Sequence, residues 1–172
     1  MQIGHYEYPV PQEQDDWRLA AFFEYWLSRR GGFSIARRID IDPTEIPKLL
    51  GYFNMIKIER DGTEMRFRFT LWGTMVAEMY GGDFTGKYLE EVMLPAKINA
   101  IRQAFMQCVD KLQPHYWAVP VPRPNRHFIG YRRLVVPLAT VDGRQVSHLM
   151  AMMIPTIVAE EEIVARVSAQ SH

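Results

Sequence analysis

Cys108 and His148 are the two side chains whose types could do nucleophilic chemistry, a thiol and an imidazole of the kind that form a dyad when a fold joins them. Their surroundings in the sequence read differently. Cys108 lies in a stripe with Ile98, Ile101, Phe105, Val109 and Leu112 at three- and four-residue steps, which predicts a helix from Pro95 to Leu112 and a buried, inert thiol. His148 alternates with Met150 and Met152 in "VSHLMAMM", so the three share one face of a strand, and a buried neutral imidazole is the main reading, with ligand contact second. Nothing in the spacing brings thiol and imidazole together. Asp40 and Asp42 could contribute oxygen ligands, but no further oxygen cluster follows them, and they read as capping, solvated carboxylates. Arg123, Arg126, Arg132 and Arg133 gather around Tyr131; Arg133 shares that tyrosine's face and Arg132 opposes it, so they read as solvated charges at a sheet edge. His115 and His127 fall near loop ends and are expected in solvent. With no Gly-x-Ser-x-Gly, His-Glu-x-x-His, P-loop or Cys-x-x-Cys, the expectation is no catalytic residue, no metal and no enzyme.

The elements that must position these residues follow from periodicity and turn chemistry. Residues 1–12 form an extended arm with prolines, and an acidic start opens a helix over Glu13–Arg30. Leu19, Phe22, Phe23 and Trp26 make its main stripe, while Trp17, Ala21 and Tyr25 lie on another face. Asp42 as N-cap and Pro43 at the first helical position predict one short helix ending near Gly51. "YFNMIKIER" and "TEMRFRFTLW" flank an Asp-Gly and form a hairpin, with Met65, Phe67, Phe69 and Leu71 on one face and Arg66, Arg68 and Thr70 on the other. Short helices fill "TMVAEMYG" and "KYLEEVM", with Thr74 as the cap of the first. Asp83 and Thr85, set between glycines, bond their own turn and cap the next short helix. Three strands close the chain: "HYWAVPV", placed at an edge by Pro120 and Pro122, then "HFIGYRRLVVPL" and "VSHLMAMMI" joined by a second Asp-Gly turn. The divisions are 1–12 arm, 13–51 helix and capping helix, 52–154 core, and 155–172 tail.

Composition supports one ordinary folded domain. The 172 residues are 48% hydrophobic and 23% charged, enough to bury a real core. Lys plus Arg and Asp plus Glu both number 20, so no net field favours nucleic acid, and no partner of that class is expected. A single cysteine excludes an intrachain disulfide and fits the cytoplasm. No leader pattern and no run of ~18 apolar residues predicts membrane insertion.

The order β-β, helices, β-β-β implies an α+β fold: a five-stranded antiparallel sheet with helices over one face, plus an N-terminal helix. Along this order fall Trp26 with Arg30, Gly31 and Gly32; Arg38, Ile41, Asp42 and Pro43; an arginine strand leading to Gly73 and Thr74; Gly81, Asp83, Thr85 and Gly86; and Pro137-Leu138. In these motifs the sequence resembles the stand-alone bacterial PAS family. The likeness spans about Asp16 to Ile154. It implies a non-catalytic sensory or adaptor module that couples a small ligand, or dimerisation, to a separate signalling protein. A structural interaction domain with a packed cavity is the alternative, and a small-molecule enzyme is a more distant one. The cofactor is unknown. A haem sensor's axial histidine is missing from the Pro95–Leu112 helix, and "GKYLEEVML" stands where a flavin photoreceptor carries its reactive-cysteine motif, so both are disfavoured. The ligand-lining set is Phe69, Trp72, Phe105, Tyr131, Met150 and His148. Trp17, Phe22, Phe23 and Trp26, with Tyr25, exceed what one domain face easily covers, and they predict a homodimer interface on the first helix.

Overall fold

The computed structural model describes residues 9–11, 16–121 and 129–157. Most of the arm, the tail beyond Ile157, and Arg123, Arg126 and His127 lie outside the described residues. Nine main elements carry the fold: α1 (Trp17–Ser28), β1 (Phe53–Asp61), β2 (Glu64–Trp72), α2 (Thr74–Tyr80), α3 (Leu89–Val92), α4 (Pro95–Lys111), β3 (His115–Val121), β4 (Ile129–Ala139) and β5 (Val146–Ile157). The strands form one sheet in the order β2-β1-β5-β4-β3, and every described strand pair is antiparallel. As expected, β3 with its proline lies at an edge. Gly62 and Gly143, both at positive φ, turn the two Asp-Gly hairpins.

Two local expectations change. The residues after Asp42 form two 3-10 turns, Pro43–Glu45 and Pro47–Tyr52, in place of one helix. Pro47 is the reason, because it has no N–H to donate and restricts Ile46. Asp42 still caps the first turn, accepting from the Thr44 N–H. Strand β5 also runs to Ile157, so residues 155–157 belong to the sheet and not to a tail.

Both faces of the sheet are covered. Helices α2 to α4 pack on one, where Phe67 meets Phe105 edge-on at 5.2 Å and the Cys108 thiol lies against the Val135 carbonyl. Helix α1 packs on the other, where Phe22 stacks on Phe53 at 6.3 Å and the Trp26 Nε1–H donates to the Pro137 carbonyl at 2.9 Å. This is why β4 and β5 read as unbroken apolar runs, "LVVPL" and "LMAMMI", where a half-solvated strand would alternate.

The covering of α1 corrects the predicted dimer surface. Phe22, Phe23 and Trp26 are buried within their own domain, and the Tyr25 hydroxyl is held by the Asp42 backbone and the Glu45 carboxylate. One side of the helix meets the sheet and the next meets the 3-10 turns, so the aromatic surplus is absorbed in cis. Trp17 alone of that set remains outside, 55% exposed.

Candidate functional site

Register decides which residues face which helices. Along β1 and β2, Ile56 pairs with Phe69 but Met55 pairs with Leu71, so Thr70 is an extra residue in a β-bulge. The bulge resets the alternation. Leu71 turns to the α1 face, and Trp72 joins Phe67 and Phe69 beneath α2 to α4, its ring 4.7 Å from Phe69. Tyr131 lies on that same face and stacks on Tyr80 of α2.

Four of the six expected lining residues are therefore brought together: Phe69, Trp72, Phe105 and Tyr131 are buried on the face beneath α2 to α4. Met150 and His148 are not with them. In register they share a face with Met55, Val136, Met152 and Phe53, which is the α1 face. The expectation slipped because each of β4 and β5 is apolar on both sides, so alternation alone does not say which side meets which helices. Met150 is core under α1. His148 lines a separate open groove of ≈ 800 Å³ with Arg38, Thr140, Arg144 and Ser147. Burial, then Arg38 and Lys57, push its pKa down to about 4. Its Nδ1 lies 2.9 Å from the Ser147 hydroxyl.

Cys108 and His148 stand on opposite faces of the sheet and form no dyad. Burial raises the thiol to about 12, so it stays protonated at neutral pH. His115 departs from expectation: it is half-buried, its ring meets Trp117 edge-on, and burial lowers its pKa. Asp40 pairs with Arg37, and Asp42 caps its turn. Among the described residues no cluster of three or more His, Cys, Asp or Glu could hold a metal.

The glycine-bracketed segment after α2 has two structural roles. Asp83 accepts from the Thr85 N–H and hydroxyl, closing a turn, whereas the following helix is capped by Tyr88 and Glu91. That turn brings Gly86 and Lys87 alongside β2, where they exchange hydrogen bonds with Phe69 and cover the sheet edge. It also lays Phe84 against Trp72 at 5.4 Å. Gly73 is needed for a close approach: an added Cβ would lie 2.4 Å from the Gly51 carbonyl oxygen. Its N–H is held by the buried Asn54 side chain, and Gly73 rather than Thr74 occupies the cap position of α2.

Arg133 is the residue that sequence reasoning missed. Expected in solvent, it is 4% exposed, on the face beneath α2. One Nη donates to the Tyr80 hydroxyl at 2.8 Å and approaches Met153 Sδ at 3.5 Å, and the guanidinium lies over the Trp117 ring. No carboxylate pairs with it among the described residues, and its Nε is buried without a hydrogen-bond partner. The indole Nε1 of Trp72, whose ring contacts Tyr80 at 5.4 Å, is buried without a partner too. An unpaired buried donor costs roughly 1–3 kcal/mol, and a charged one more. Two such donors flank one tyrosine in an otherwise apolar cluster. The signal for this in the sequence was the position of Arg133 directly before "LVVPL", inside a run buried on both faces.

An antiparallel sheet in the order β2-β1-β5-β4-β3, with helices α2 to α4 between β2 and β3 along the chain, defines a PAS-type α+β domain. The family model described as a PAS domain matches residues 15–153, and the chain belongs to that family. The chain is similar in fold to the PAS domain of Bordetella pertussis BvgS, with a TM-score of 0.52 and 14% identity over 74% of this chain and 93% of that one. A PAS domain from Colwellia psychrerythraea aligns with a TM-score of 0.48 and 11% identity over 66% of this chain and 96% of that one. No curated protein sequence matches the chain. No helix among the described residues is long and apolar enough to cross a membrane.

Proposed function

We propose that this chain is a non-catalytic, cytoplasmic sensory PAS module, in which a small molecule held between the sheet and α2 changes the geometry offered to a separate signalling protein or a second copy of the chain. The observation that supports the reading is the pair of buried, unpartnered donors on Arg133 and Trp72, gathered around Tyr80. A fold that had packed this space for stability alone would have little use for a buried guanidinium without a carboxylate. Tyr80 ends α2 and is followed by Gly81 at φ 82 and by Gly82, so the end of that helix has backbone freedom to respond.

The alternative, an interaction domain with a closed interior, draws on the tight aromatic packing of Phe69, Trp72, Phe84 and Tyr80. Native mass spectrometry of protein purified from cells separates the two. A bound small molecule, or a ligand-dependent loss of hydrogen-exchange protection in α2, supports the sensor. A bare mass together with an α2 that no small molecule perturbs favours the interaction domain.

A further inference from the structure

We infer that the ligand of this interior is a small organic monocarboxylate with an apolar or aromatic body, held by Arg133 and by the Trp72 indole N–H in the place now filled by the Tyr80 hydroxyl. The inference rests on the sensory reading above and adds its ligand class.

The charge count comes first. Arg133 carries a guanidinium cation, sits 4% exposed, and meets no carboxylate among the described residues. A single buried cation is neutralised by a single negative charge. A phosphate dianion would bring a second charge in among the buried rings of Phe69, Trp72 and Tyr131 and the Phe84 ring packed on them, with no second described cation to meet it. The geometry of donors comes next. The Nε–H of Arg133 has no partner, and beside it one Nη donates to an oxygen, that of Tyr80. A carboxylate accepts from two such N–H groups at once, and the planar guanidinium favours that fork. The Trp72 Nε1–H, buried without a partner on a ring 5.4 Å from that of Tyr80, adds another donor beside it. The rings of Phe69, Trp72 and Phe84 then set the body of the ligand, since they offer stacking to an apolar or aromatic group.

Tyr80 becomes the competitor. Its hydroxyl accepts from the guanidinium in this structure, and an entering carboxylate displaces it. The residue lies at the end of α2 against Gly81 and Gly82, so occupancy is converted into movement of that helix end.

The test uses the full 172-residue chain and six probes: benzoate, 3-phenylpropionate, their two neutral amides, acetate and inorganic phosphate. Thermal melts and calorimetry are read together with the indole N–H resonances in NMR, the Trp72 signal being assigned by Trp72→Phe. At about 100 times its dissociation constant, an aromatic carboxylate raises the wild-type melting midpoint by roughly 5–10 °C. It also moves the Trp72 indole resonance, and its amide does neither. Arg133→Met, of similar length and without charge, weakens carboxylate binding by about 10-fold or more. Tyr80→Phe strengthens it. Because the acid and amide are compared on the wild-type protein, the result does not depend on whether a variant folds. Equal binding of acid and amide overturns the anion assignment and leaves the sensory reading standing. Binding of phosphate without benzoate or phenylpropionate overturns the carboxylate class. Binding of none of the probes overturns the inference, and the native mass of the purified protein then decides the sensory reading separately.

Discussion

The imidazole of His148 shows how one side chain's surroundings become a property of the whole fold. Its pKa falls from an ordinary 6.5 to about 4, first through burial and then through Arg38 and Lys57. The folded protein therefore holds the ring neutral where the unfolded chain already binds a proton. The stability linked to this difference is fully present above pH 6.5 and is lost as the pH falls toward 4. Because much of the ring remains near solvent, screening keeps the loss to about 1 kcal/mol. His148→Gln should accordingly flatten the urea-midpoint profile between those pH values, leaving the shallower contribution of His115, which burial shifts the same way. An unchanged profile would place the ring in solvent. A second residue-scale expectation concerns Cys108: a thiol held near 12 should react with a maleimide only as fast as the domain unfolds. Labelling that is rapid in the native state, and unaffected by stabilising the fold, would contradict its burial against Val135. The inert thiol was legible from its place in the apolar stripe. The burial of Arg133 was signalled only by its place directly before "LVVPL", because a charged residue alternating with Tyr131 otherwise looks the same at a wet edge as under a helix.

At the scale of elements, the helices and hairpins were legible wherever a local rule governed them. Asp-Gly marked both hairpins, Pro95 opened α4, and the proline in β3 placed it at an edge. What could not be read was phase. The Thr70 bulge adds one residue to β2, and from there each side chain exchanges faces, so Trp72 is buried with Phe69 although strict alternation separates them. A single-residue insertion leaves no mark in composition. Its consequence is testable through Gly73, the residue that follows. The Cβ of Gly73→Ala would meet the Gly51 and Phe53 carbonyl oxygens at 2.4 and 2.8 Å, both backbone atoms that cannot swing away. The strand end or the preceding 3-10 turn must shift, at a cost of about 1–3 kcal/mol. Chemical denaturation should show that loss with an unchanged m-value. A Gly73→Ala protein as stable as wild type would mean that the β2 to α2 junction is looser than its contacts indicate.

For the molecule as a whole, the decisive arrangement is that the sheet has helices on both faces, and among the described residues α1 is the sole α-helix covering one of them. The sequence reading correctly found too many aromatics on α1 for one surface, but it looked to a second chain for their cover. The sheet and the 3-10 turns supply it: Phe22 lies on Phe53, Trp26 bonds to Pro137, and Tyr25 bonds to Glu45. Self-association along α1 is left with Trp17, and one such ring buries on the order of 150–250 Å² where a stable interface needs about 1,000 Å² or more. Any homodimer of this chain would therefore have to extend beyond α1. The two kinds of aromatic should separate cleanly under mutation. Phe22→Ala removes a fully buried ring and should lower stability by roughly 3–5 kcal/mol, a large part of a typical domain's total, without yielding a well-folded monomer. Trp17→Gln should change stability by no more than about 0.5 kcal/mol while weakening any self-association seen by sedimentation. If Phe22→Ala instead gave a monomer with the wild-type melting midpoint, that ring would be facing a second chain, and the packing of α1 on the sheet would have to be abandoned.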